Sequence, residues 1–342
     1  MRPVRIGLLG TNVLGRQLYW LAQRDPGYEV VVIADPGDPA IIARLLDRAP
    51  EAGTCRLEGD EVVAGEARTR LVRTAPDGEV LWDAFDVDVV IDAAGVLSGP
   101  RALRQQLDAG APRVLLARLP ASAGRGEAVD RVVLAGLNDD EISVGDTVVS
   151  AGSASTTAAA LMAAVIAERW PVEHLSVTSV HAYTGDQRLQ DDAGPDYRRS
   201  RSGAENIIAN ETPAGAWLQQ LVPGLEGRVS SIALNVPVQH GSMLDLTFSL
   251  KGAAPDAAEL DATIAAAARA RPWLLGATED PIVSSDVLGC SQSVLFDRPA
   301  TMVCGEHLVK LLGWHETLGH AARILELARG YLDLELGRRE VA

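Results

Sequence analysis

The run AGSASTTAAA, residues 151–160, lies between an apolar stretch, DTVVS, and a helical one, ALMAAVIAERW. Hydroxyl side chains at such a junction can do two kinds of work. Ser155 could attack a carbonyl carbon, but a serine hydroxyl near neutral pH is a weak nucleophile and needs a base beside it. The following helix, expected to begin near Thr156, would aim its unpaired N–H groups at the same spot and stabilise an oxyanion or alkoxide. The same geometry serves capping, for which serine is among the best residues. These residues alone leave Ser155 as nucleophile, substrate contact or N-cap.

A second constellation would bind rather than react. VRIGLLG, Val4 to Gly10, reads as a buried strand, VLGRQLYWLAQR has helical spacing, and a glycine turn joins them. The next strand, YEVVVIADP, ends in Asp35, 25 residues after Gly10, near the spacing of an acid that bonds a ribose hydroxyl. Together these form a Rossmann dinucleotide-binding unit, with the pyrophosphate on the helix N-terminus at Asn12, Val13 and Leu14. Gly10 and Gly15 fill the first and third glycine positions of the fingerprint, and Asn12 takes the second. Asparagine tolerates left-handed backbone angles, so the turn is expected to survive with altered contacts. A carboxylate at Asp35 would repel a 2′-phosphate, which favours NAD over NADP.

The elements that must position these residues alternate. Strand-like runs at VDVVIDAAG, RVLLAR, RVVLAGLN and DTVVSAG, with the helical PRALRQQLDAG after the first, predict an α/β domain with a mostly parallel, doubly wound sheet. After residue 171, runs such as HLSVTSVHAY and SMLDLTFSL alternate as half-exposed antiparallel strands do. At 342 residues, two domains are expected.

Composition excludes several function classes. A net charge of −15 leaves no basic surplus for a nucleic acid, and no apolar run approaches the ~20 residues of a membrane span. The N-terminus lacks the pattern of a secretory leader, so a cytoplasmic protein is expected. Cys55, Cys290 and Cys304 are widely spaced and predict neither disulfides nor a metal site.

Several segments, in order, resemble the glyceraldehyde-3-phosphate dehydrogenase family: GLLGTNVLGR, VIADP, DAAGVL, AGSASTTA, HAYTGDQ, SRSGAENII, LVPGLEGRVSSIALNVPV, SSDVLGCSQSVLFD and HLVKLLGWHE. The resemblance implies a Rossmann domain over residues 1–151 and an α+β catalytic domain with an antiparallel sheet over 152–314. A C-terminal helix in 315–342 would return to the first domain. It also implies a homotetramer, with the polar segment after His181 as an interface loop, and Gly95 beside the cofactor. Ser155 falls where the family has its catalytic cysteine, and His181 matches its histidine base. Thr156, Thr184, Arg201 and Thr212 match phosphate-binding residues of the family. By the same resemblance Ala154 replaces a hydroxyl residue, Asp186 a threonine, Pro213 a glycine and Asn235 an arginine. The family's nicotinamide asparagine is not matched in Trp314-His315-Glu316-Thr317, which is one residue short.

These departures imply a small, non-phosphorylated substrate and an NAD-dependent oxidoreductase that works without a cysteine thiohemiacetal. The alternatives are an inactive NAD- or ligand-binding relative, a cysteine-to-serine variant of an aldehyde dehydrogenase, and a Ser155–His181 acyl-transfer enzyme. The last is weakened because no acid partner for His181 is evident in the sequence.

Overall fold

The computed structural model describes residues 2–49, 53–74, 80–95, 99–120, 129–185 and 187–337. The chain divides into two compact units, Met1–Ser153 with Ala321–Ala342, and Ala154–His320.

The first unit holds β1 (Val4–Leu9), α1 (Val13–Arg24), β2 (Tyr28–Asp35), α2 (Pro39–Asp47), β3 (Arg56–Glu58), β4 (Glu61–Ala64), β5 (Ala67–Arg73), β6 (Val89–Asp92), α3 (Gly99–Asp108), β7 (Val114–Leu116), β8 (Arg131–Val132) and β9 (Val148–Ser150). Its nine strands run in the order β3-β4-β5-β2-β1-β6-β7-β9-β8. The stretch β5-β2-β1-β6-β7-β9 is parallel throughout and has the 3-2-1-4-5-6 order of a doubly wound dinucleotide fold. β1, β2 and β6 are nearly continuous Val, Ile and Leu, as strands covered on both faces require.

Two features depart from the sequence reading. The antiparallel β3-β4-β5 extension carries Arg56, Glu58, Glu61, Arg68 and Arg70 and so lacks an apolar period. The RVVLAGLN segment forms only the two-residue β8, because Asn138 turns the chain. Its Oδ1 accepts from the Leu134 N–H at 2.8 Å and its Nδ2 donates to the Val132 carbonyl at 3.0 Å. The C-terminal helix, Thr317–Glu335, places Ala321, Ile324, Leu325, Ala328, Tyr331 and Leu332 in the same core as Leu8, Leu18 and Ile33. The Tyr331 hydroxyl donates to Asp146 at 2.8 Å, under the Arg113 guanidinium.

The second unit comprises α4 (Ala154–Ala167), β10 (Val172–Ala182), β11 (Ile208–Asn210), α5 (Ala214–Leu221), β12 (Val229–Val236), β13 (Ser242–Leu250), α6 (Ala257–Ala270), β14 (Leu275–Thr278), β15 (Val294–Cys304), β16 (Leu308–His315) and the start of α7 (Thr317–Glu335). The sheet order is β11-β12-β10-β13-β16-β15-β14. Its pairs are antiparallel except β10 with β12 and β14 with β15, so the sheet is mixed. Strict alternation along β13 turns Leu244, Leu246, Phe248 and Leu250 inward. Thr156 through Ile166 of α4 are all buried, as a helix apolar on every side demands. Among the described residues no helix is long and apolar enough to cross a membrane.

Candidate functional site

In the first unit, the glycine turn is fixed by contact rather than by flexibility. Gly10 has φ +88°, and a Cβ there would lie 2.2 Å from the Ala94 Cβ; a Cβ on Gly15 would lie 2.2 Å from the Gly10 carbonyl oxygen. Asn12 does not adopt the left-handed angles expected of it. Its φ is −62°, and it acts as the N-cap of α1, with Oδ1 accepting from the Gly15 N–H at 3.0 Å. Its Nδ2 donates to the Ala93 carbonyl at 2.8 Å, tying the turn to the end of β6. Capping by a side chain therefore replaces the missing glycine's conformational freedom.

The donor set still suits a dinucleotide. The N–H groups of Val13 and Leu14, in the first turn of α1, have no hydrogen-bond partner among the described residues, and such groups attract a pyrophosphate. Asp35 closes β2, and its Oδ2 accepts from the Thr11 N–H at 2.8 Å and the Thr11 hydroxyl at 2.7 Å. Its Oδ1 accepts from the Gly37 N–H at 2.8 Å. Two carboxylate oxygens accept about four hydrogen bonds, so a ribose hydroxyl could still be accommodated. Gly95, φ +71°, donates to the buried Asp92 at 2.9 Å, and among the described residues a Cβ there would meet only Arg118 at 3.8 Å.

In the second unit, α4 begins at Ala154, two residues earlier than expected. Ser155 is consequently the second residue inside the helix, and Ser153 occupies the position before it, so the capping reading of Ser155 gives way. Only residues 168–171 separate α4 from β10, which makes the two antiparallel neighbours and brings Ser155 to the same end of the unit as His181. Thr156 is buried beside it.

His181 is the penultimate residue of β10. Its Nε2 pairs with the Ser179 hydroxyl at 2.8 Å, and burial pushes its pKa below the usual histidine value. Residues two apart on a strand share a face, so the SVHA pattern could have signalled this pair. No carboxylate is bonded to His181 among the described residues. Asn235 on β12 pairs in register with His181. Its Nδ2 donates to Gln187 Oε1 at 2.8 Å, the Thr184 N–H donates to the same oxygen at 3.0 Å, and its Oδ1 accepts from Asn210. Gln187, the last residue of the HAYTGDQ segment, thus ties Thr184 to Asn235, which lies in register with His181, while Asn210 holds Asn235 from the other side and falls in none of the family segments. Arg201 is exposed and pairs with Asp191 at 2.8 Å, and Thr212 accepts from the Ala214 N–H at 3.3 Å. Asp186 lies outside the described residues.

Across the sheet from His181 stands His315, at the end of β16, with ring centres 6.0 Å apart and planes crossed at 76°. Glu316, next in sequence, is nearly buried and accepts from the Thr317 hydroxyl at 3.2 Å and the Leu318 N–H at 3.4 Å, so it caps α7. No group of three or more His, Cys, Asp or Glu side chains among the described residues is placed to hold a metal ion.

Comparison with known proteins fits this arrangement. Residues 153–317 match the model of the glyceraldehyde 3-phosphate dehydrogenase C-terminal domain. Glyceraldehyde-3-phosphate dehydrogenase 1 of Streptomyces avermitilis is 34% identical over 334 residues, covering 95% of this chain and 97% of that protein. The chain belongs to the glyceraldehyde-3-phosphate dehydrogenase family. Family members of the same name from Haloarcula vallismortis and Mycobacterium avium are each 32% identical, again over 95% of this chain and 97% of theirs.

Within this family framework the histidine pair carries a pH signature. Burial, together with the nearby imidazoles of His181 and His320, holds the His315 pKa at about 3. The unfolded chain binds a proton there near 6.5 and the folded chain does not, so stability is full above 6.5 and is lost as pH falls towards 3. The expected slope is up to about 1.4 kcal/mol per pH unit for each such histidine. Thermal unfolding between pH 7 and 5 checks it, with His315→Phe expected to flatten the dependence.

Proposed function

We propose that the protein is an NAD-dependent oxidoreductase that oxidises a small, non-phosphorylated alcohol or aldehyde hydrate without a cysteine thiohemiacetal. The observation that carries this reading is His181, kept neutral by burial, oriented by Ser179, and flanked by the Asn235–Gln187–Asn210 amides where the family resemblance implies an arginine. A neutral imidazole can accept the proton of a substrate hydroxyl as the C–H hydride leaves. The bound nicotinamide would take that hydride. Ser155, in the first turn of α4, supplies an orienting hydroxyl near the positive end of the helix. Amide side chains hydrogen-bond a hydroxyl or carbonyl but do not neutralise a phosphate, and Arg201 is already paired with Asp191.

The dinucleotide would be held by Gly10, Gly15 and Gly95 in the turns, by the Val13 and Leu14 N–H groups on its pyrophosphate and by Asp35 on its ribose. The Asp35 carboxylate favours NAD over NADP. Leu189, Tyr197 and Ile207, which expose large apolar side chains on the segment after His181, support a homotetramer. A cytoplasmic location accords with the acidic composition.

A structure with NAD and substrate bound tests this reading: the reacting carbon must lie within about 3–3.5 Å of nicotinamide C4. Replacement of Asn12 by glycine gives a second check. Glycine retains all but a few tenths of a kcal/mol of the capping stability and clears the approach to the Val13 and Leu14 N–H groups. NAD affinity, measured by calorimetric titration, is expected to rise by up to about tenfold, the equivalent of about 1.4 kcal/mol.

A further inference from the structure

His315 is only 4% exposed, yet neither of its ring nitrogens has a hydrogen-bond partner among the described residues. A neutral imidazole carries one donor and one acceptor, and native structures seldom leave both unmade in the interior. Its polar neighbours do not bond it: among the described residues the nearby His320 likewise leaves its Nδ1 without a hydrogen bond, and the others have bonds of their own. Val180 pairs with Met243 and Ser242 with His315, so the next rung of the ladder sets His181, Ser242 and His315 in a row on the inner face. Ser242 accepts from the Ala182 N–H at 3.3 Å, Ser179 bonds His181, and Glu316 caps α7. The two rings make no hydrogen bond to each other. The rings stand edge to face with their centres 6.0 Å apart, so the two imidazoles face one place without bonding each other.

We propose that His181 and His315 hold one uncharged oxygen between them, the hydroxyl or carbonyl oxygen of the substrate. This deepens the dehydrogenase reading and rests on it for the identity of the oxygen. As the substrate is oxidised, its O–H proton passes to His181 and the C–O single bond becomes a carbonyl; NAD, when bound, would supply the acceptor for the departing C–H hydride. The N–H of His315 donates to that oxygen throughout, where negative charge gathers as the proton departs. Burial and the imidazoles of His181 and His320 keep His315 neutral, which suits a donor that must not give up its proton. A water molecule could fill the same place, and the experiment separates the two.

The test uses the NAD-loaded protein with 15N-labelled histidine, and D-glyceraldehyde and glycerol as uncharged oxygen probes. The ring-nitrogen resonances of His181 and His315 are expected to shift together along one saturable curve. A shift at His181 alone, or at neither, overturns the proposal and leaves a water or a purely structural histidine. In the kinetic arm, His315→Phe keeps the ring volume and removes both nitrogens. It is expected to fold and to lose about 10²-fold in kcat for glyceraldehyde oxidation, with a smaller change in KM. Turnover at the level of the unaltered protein overturns the proposal. Should the phenylalanine variant fail to fold, the nitrogen titration decides alone. Joint shifts without any turnover would sink the dehydrogenase reading and leave the paired histidines standing. Turnover with an unperturbed His315 would do the reverse.

Discussion

His181→Asn is expected to lower kcat by about 10² to 10⁴, the usual contribution of a positioned general base, while the melting temperature changes little. Asparagine keeps a polar group near Ser179 but cannot accept a proton at neutral pH. The loss should be greatest in kcat, because the base acts only as the O–H bond breaks and contributes little to substrate binding. The pH profile supplies the sign. Burial lowers the His181 pKa from its ordinary value of 6.5, so the base is neutral and active at pH 7, and activity falls only on acidification below 6.5. That acidic limb should vanish in His181→Asn. An unchanged kcat would remove His181 from the chemistry.

The second large effect concerns the glycine turn. Gly10→Ala is expected to destabilise the first unit by about 2–5 kcal/mol, from overpacking of about 1–3 kcal/mol and about 1–2 kcal/mol of left-handed strain. The added methyl would lie 2.2 Å from the Ala94 Cβ and 3.0 Å from the Ala94 backbone, with φ at +88°. Ala94 cannot retreat easily, because its N–H and that of Ala93 donate to the Leu9 carbonyl at the end of β1. A fall in melting temperature of roughly 5–15 °C follows from the usual scaling for a unit of this size, together with weaker NAD binding. An unaltered melting curve would show that the turn is looser than its contacts indicate. Gly95→Ala is the control: its φ is also positive, but among the described residues its Cβ would meet nothing closer than 3.8 Å, so strain acts there without a clash.

Much of this was legible in the chain itself. The Val, Ile and Leu runs ending at Gly10 and Asp35 specify buried parallel strands with a turn between them, because periodicity and glycine placement are local properties. The β3-β4-β5 extension was not legible, since Arg68 pairs across strands with Glu58 and Glu61 and the charged residues leave no apolar period. At the candidate site, the family motifs pointed to Ser155, His181, Thr184 and Asn235, of which Asn235 lies in register with His181 and shares Gln187 with Thr184. They did not reveal that Ser155 lies inside α4, because helix starts depend on backbone geometry that one or two residues can shift. The roles of Gln187 and Asn210 arise from loop and strand partners brought in by tertiary contact. The pairing of His181 with His315 is set by the register of three strands far apart in sequence, which no local pattern encodes. Asn12 shows the opposite limit: the sequence identified the odd residue in the fingerprint, but only the backbone angles reveal that it caps the helix instead of bending the turn.

The central claim is the proposal that hydride chemistry persists in a family member with Ser155 at the position where the resemblance implies the nucleophile. The most direct measurement follows absorbance of reduced nicotinamide when the NAD-loaded protein meets a panel of small uncharged aldehydes and alcohols, glyceraldehyde among them, at equal concentrations of their phosphorylated counterparts. The account predicts NADH formation with at least one uncharged compound, faster than with its phosphate ester, and no acyl group left on Ser155. Tight NAD binding with no reduction across the panel, or reduction that requires the phosphate, would contradict it.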